Sequence, residues 1–175
     1  MGIMENKVIW FDRKFDFIQP PEMFPIVIER LRGTPARLEE KVANVPKEAL
    51  TKSEANKWSI LQNIGHLLIT MELWERRIID FKNRETELHP ADLNNTKTKQ
   101  TDFNKRPLEE MVKEFRSRQE NLVRAFENFA PEDASLTAHH PRLNKPMRLI
   151  DLAYFIAEHD DHHLSIITDL IRKYS

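Results

Sequence analysis

Residues 59–82 read SILQNIGHLLITMELWERRIIDFK. Ile60, Ile64, Leu67, Met71, Trp74, Ile78 and Phe81 recur every three or four positions, the spacing of one apolar face of a helix. Ser59 is of a type that caps helix N-termini, so the spacing predicts one long helix from about Ser59 to Lys82. Three more patterns of this kind flank it. One covers about 21–44 after Pro20-Pro21, with Gly33-Thr34-Pro35 interrupting it and Thr34 expected as the N-cap of a restart. Another runs from about Pro107 to Phe129 through Leu108, Met111, Val112, Phe115, Leu122 and Phe126, and the last from about Arg148 to Ser175. Four long helices in 175 residues predict an all-α, four-helix bundle forming one domain over 1–175.

The segments between helices carry less signal. Residues 83–106 form a long polar crossover, expected either to be solvated or to cover a site. TAHHPRLNKP, before the last helix, suggests a small hairpin. Trp10, Phe11, Phe15 and Phe17 suggest an extended N-terminal arm packed across the bundle.

Composition narrows the chemistry. The chain has no cysteine, so disulfides, iron–sulfur clusters, thiolate nucleophiles and cysteine-type zinc sites are excluded. Three glycines leave no room for a Gly-rich phosphate loop. A net charge of −1 favours neither nucleic acid nor an anionic membrane as partner. No apolar run approaches the roughly 18 residues that would span a bilayer, and no apolar signal core is apparent near the start. A cytoplasmic protein is the default expectation.

The last helix contains His159-Asp160-Asp161-His162-His163. At about 100° per residue, with His159 at zero, His163 falls near 40°, Leu152 and Leu170 near 20°, and Ile156 near 60°. His159 and His163 therefore lie within the apolar stripe. His162 falls at one edge and is expected to be partly exposed; Asp160 falls at the other, as a solvated carboxylate or a partner of a ligand imidazole. Glu158 should face away. Two imidazoles one turn apart can share a metal, or can simply be buried and hydrogen-bonded. On the second helix His66 borders the apolar face beside Asn63, Thr70 and Arg77. That polar stripe either faces solvent or lines a pocket opposite the last helix. The three histidines would leave a fourth position open, as catalytic metal sites do, and such an ion lowers the pKa of bound water. Zinc is the first choice, with nickel, iron and manganese also compatible. A zinc-protease HExxH reading lacks a downstream ligand, and a di-iron reading lacks carboxylates.

WSILQNIGHLL and LIDLAYFIAEHDDHHLSII, with RLRGTPARLEEKV and HPADLNN, resemble the DinB-like family, and within it the YfiT-like branch of metal-dependent hydrolases. The resemblance covers most of the chain. It implies a four-helix bundle with a metal held by three histidines, at positions His66, His159 and His163 here, and it extends to thiol-dependent S-transferases. The expected activity is hydrolysis or thiol transfer on an unidentified small molecule, possible partners being low-molecular-weight thiols. The alternative is a non-catalytic, dimeric metal- or ligand-binding bundle in stress response. A homodimer is expected in either case. Asn63, Thr70 and Arg77 are candidate substrate-binding residues, although pairing with a carboxylate is the commoner fate of such an arginine. His89, His139 and His140 are placed in loops, with His139-His140 near a pocket mouth. Trp58 and Trp74 are expected to be packing residues.

Overall fold

A computed structural model describes residues 8–175. Helices α1 (Phe24–Arg32) and α2 (Thr34–Val42) run nearly end to end, followed by the short α3 (Lys47–Leu50). Next come α4 (Ile60–Lys82), the short α5 (Thr96–Gln100), and α6 (Leu108–Glu127). A two-stranded hairpin, β1 (Thr137–His140) and β2 (Lys145–Arg148), leads into α7 (Leu149–Tyr174). The α1/α2 pair, α4, α6 and α7 form the bundle, with α4 packed between α6 and α7 and the first pair against the other side of both.

Local chemistry explains the boundaries. Ser59 Oγ accepts from the Gln62 N–H at 3.1 Å while Gln62 Oε1 accepts from the Ser59 N–H at 2.9 Å, a reciprocal cap on α4. Asp151 accepts the Arg148 N–H at 2.9 Å and closes the first turn of α7. The break at Gly33 is shallower than its sequence suggests. Gly33 keeps helical angles, and Thr34 does not act as a cap; its hydroxyl donates back to the Arg30 carbonyl at 3.2 Å. Pro35 has no N–H for the Leu31 carbonyl four residues back. Gln119 Nε2 on α6 donates to that carbonyl instead, at 3.2 Å, which accounts for a buried glutamine in the bundle.

Most of the 83–106 crossover is exposed, yet it is anchored and covers the site. Leu88, Thr98 and Phe103 are buried in it. Phe103 rests on Gly65 of α4, where an added Cβ would stand 2.2 to 2.5 Å from three ring carbons. Only a residue without a side chain permits that approach. The crossover also docks on the hairpin: Leu88 N–H donates to the His139 carbonyl at 2.9 Å and His139 N–H to the Thr86 carbonyl at 2.8 Å. Polar composition hid this element because three buried residues suffice to anchor it.

The arm lies across α7 as expected. Trp10 and Phe15 pack on Phe155 at ring separations of 5.1 and 4.9 Å. Arg148 donates to the carbonyls of Phe17 and Gln19 at 2.9 Å each, holding the strand-like stretch in place. Among the described residues no helix is long and apolar enough to cross a membrane.

Candidate metal centre

α4 and α7 cross with His66 on one and His159 and His163 on the other facing inward. All three are buried, and one ring nitrogen from each lies within 4.8 Å of the other two. Ring centroids stand 4.7 to 5.2 Å apart. His66 Nε2 and His159 Nε2 are 3.2 Å apart. Two nitrogens about 2.05 Å from a tetrahedral ion are about 3.3 Å apart, so this pair already has the spacing of two ligands.

Polar neighbours orient the rings. Asn63 Nδ2 donates to the Ser59 carbonyl at 2.8 Å, which leaves Asn63 Oδ1 to accept from His163 Nδ1 at 2.9 Å. His163 Nδ1 thus carries the proton and Nε2 its lone pair. Thr98 Oγ1, delivered by α5 in the crossover, stands 3.1 Å from His66 Nδ1 and holds that ring in place. Burial, then the neighbouring imidazoles, hold the rings neutral: His66 is pushed down to about 2, His159, which Arg142 also disfavours, to about 3, and His163 well below its ordinary value. Neutral imidazoles with free lone pairs are the ligand form, so the donor set fits a divalent ion.

Asp160 departs from both expectations. It is fully buried, not solvated, and faces α6, where Gln119 Nε2 donates to it at 3.2 Å. Its other oxygen is 3.9 Å from His159 Nδ1, too far for a hydrogen bond, and neither atom has a hydrogen-bond partner. Burial, reinforced by Asp161, raises its carboxyl to about 8. Glu158 does face away, paired with Arg13 and Arg30.

The polar stripe on α4 does not face solvent. Asn63 and Arg77 are each 1% exposed, and Thr70 is half-buried with its hydroxyl donating within the helix. They line a cavity of about 870 Å³ whose wall also includes the three histidines. Among the described residues Arg77 has no carboxylate partner; it donates to the His89 carbonyl at 3.0 Å and faces His140 Nε2 at 3.0 Å. Trp58, half-buried, lies over the cluster, 4.7 Å from the ring of His66 and 6.1 Å from that of His163. Trp10 and Trp74 flank His159 at 5.1 and 5.4 Å. His162, half-buried at the edge, also lines the cavity, whereas His139 turns to Asn144. Thr98, Trp10 and Arg142 also line the cavity and are residues that helical spacing does not point to. Each comes from a segment without helical periodicity.

The profile of the DinB superfamily matches residues 30–167. The chain belongs to the DinB superfamily. Among solved structures it is similar to YfiT from Bacillus subtilis, described as a probable metal-dependent hydrolase with an unusual four-helix bundle topology. The TM-score is 0.75 at 19% identity, over 92% of this chain and 93% of YfiT, which establishes the shared DinB bundle fold. No curated protein sequence is detectably similar to the chain.

Proposed function

We propose that this protein is a metal-dependent hydrolase or thiol S-transferase acting on a small molecule, with a divalent ion held by His66, His159 and His163. The observation that carries this reading is the convergence of three neutral imidazole nitrogens on the wall of a cavity large enough for a substrate. The description of YfiT as a probable metal-dependent hydrolase supports it. Three imidazole donors, one pair of them 3.2 Å apart, favour zinc, with nickel, iron and manganese compatible. A bound ion would supply Lewis acidity, polarising a substrate oxygen or lowering the pKa of a water or thiol beside it.

The chain's own residues do the remaining work. Asn63 fixes the tautomer of His163, and Thr98 holds the tilt of His66. Trp10, Trp58 and Trp74 make the surroundings of the cluster apolar, which strengthens electrostatics at that point. Asp160, the carboxyl adjoining the ligands on α7, is turned to α6 rather than to the cavity.

The test is a turnover screen of metal-loaded protein against thiols paired with electrophiles, and against amides and esters. Activity lost in folded His159→Ala supports the enzyme. Metal binding with a conformational response and no turnover in any pairing would favour the non-catalytic bundle.

A further inference from the structure

Beside Trp74, the cavity wall carries several buried hydrogen-bond donors that have no acceptor among the described residues. The Trp74 ring lies 5.4 Å from that of His159 and 5.6 Å from Arg77 Cζ, so the same indole borders both groups. Arg77 is one of the largest fully buried side chains, yet its second terminal nitrogen has no hydrogen-bond partner among the described residues. Arg142 Nη2 and Trp74 Nε1 are buried and unpartnered as well. Arg142 stacks over Phe155, itself 5.4 Å from His140.

His140 sharpens the imbalance. Its Nδ1 faces the Leu143 N–H at 3.2 Å and its Nε2 faces Arg77 Nη1 at 3.0 Å. A neutral imidazole accepts at only one nitrogen, so one of those two donors is also left over. Protonation would remove the acceptor and add a third cation; burial, Arg77 and Arg142 together push His140 down to about 3. Arg77, lowered to about 10, remains charged at neutral pH. Among the described residues neither guanidinium has an ion pair, and Asp80, the carboxylate acting on Arg77, is engaged by the His89 N–H at 2.7 Å. Buried arginines are ordinarily paired, because an uncompensated buried charge is costly.

We propose that Arg77 and Arg142, with the Trp74 indole N–H, form a subsite for an oxyanion of the substrate, a carboxylate or phosphate, beside the indole that also borders His159. All the unpartnered atoms named are donors, and a carboxylate or phosphate is all acceptor; a guanidinium fork matches either geometrically. The orphaned nitrogens are shut off from bulk water, so engagement requires a shift of Arg142, the less buried of the pair, which is sandwiched between Phe155 and the exposed Phe11. The inference rests on the cavity being the substrate chamber and deepens that reading by naming a group the substrate carries.

Succinate, its neutral analogue succinamide, and inorganic phosphate are titrated calorimetrically into the chelator-treated full-length chain. Removing the metal ensures that binding reports the arginines. Succinate or phosphate should bind and succinamide should not. Whichever of the two anions binds tighter identifies the group the subsite prefers. Arg142→Gln should weaken anion binding by about tenfold or more, the loss of a charge-assisted hydrogen bond. Arg77→Lys, which keeps the charge but loses the fork, should weaken it too. His66→Ala should retain anion affinity, so a failure of the metal assignment leaves this result readable. No binding of either anion at millimolar concentration, equal binding of succinamide, or unchanged affinity in Arg142→Gln overturns the subsite.

Discussion

Gly65→Ala is the substitution that most directly couples the fold to the site. A Cβ there would meet Phe103 Cγ, Cδ1 and Cδ2 at 2.2 to 2.5 Å. Ordinary carbon contacts begin near 3.5 Å, so the ring must retreat by about 1 Å or leave its place. Expelling it forfeits roughly 2–3 kcal/mol of burial, while alanine returns about 1 kcal/mol of helix propensity. The net loss is about 1–2 kcal/mol, a fall in Tm of roughly 3–8 °C for a domain of this size. A double-mutant cycle in urea isolates the cause. In a Phe103→Ala background the three ring atoms are gone, and Gly65→Ala should become neutral or stabilising by up to about 1 kcal/mol. The movement also draws back α5, loosening the hold of Thr98 on His66, so metal affinity should fall about tenfold. An equal cost of Gly65→Ala in both backgrounds would refute the idea that this glycine exists to seat the crossover.

Three further outcomes are expected. Asn63→Ala removes the acceptor of His163 Nδ1, and competition with a chromophoric chelator should show metal affinity reduced about 10- to 100-fold; unchanged affinity would mean Asn63 does not orient that ring. Leu88→Ala should cost about 2–5 kcal/mol by denaturant unfolding because the side chain is buried under the crossover, whereas a cost below about 0.5 kcal/mol would fit a solvated loop. The metal-free protein should lose stability as pH falls below about 6.5. His66, His140, His159 and His163 stay neutral when folded but protonate near 6.5 when unfolded, and Asp160, held up to about 8, opposes them as a single carboxyl. Even one net proton is worth about 1.4 kcal/mol per pH unit, so a urea midpoint unchanged between pH 7 and pH 5 would contradict the burial of these rings.

The bundle and the three histidines were legible in the sequence because both depend on helical periodicity. Apolar residues at three- and four-residue intervals defined the long helices, and the same 100° step placed His159 and His163 inward and His66 on the border. What periodicity cannot encode was missed. Thr34 reads as a cap, yet Gly33 can continue a helix, and Gln119 repairs the bond that Pro35 removes. Asp160 reads as an edge carboxylate, but α6 covers that edge. The crossover reads as solvated by composition, though its docking rests on Leu88, Thr98 and Phe103, whose partners lie far away in sequence. Arg77 reads either as a substrate-binding residue or as half of an ion pair, and only the packed structure shows that no carboxylate among the described residues meets it.

The most direct measurement is elemental analysis of the protein after reconstitution and desalting, made in parallel on wild type and His66→Ala, with circular dichroism to verify that both are folded. One divalent ion per chain in wild type and a small fraction of that in folded His66→Ala is the expected result. A full equivalent retained by His66→Ala, or no metal taken up by the wild type, would contradict a centre built by histidines from two helices.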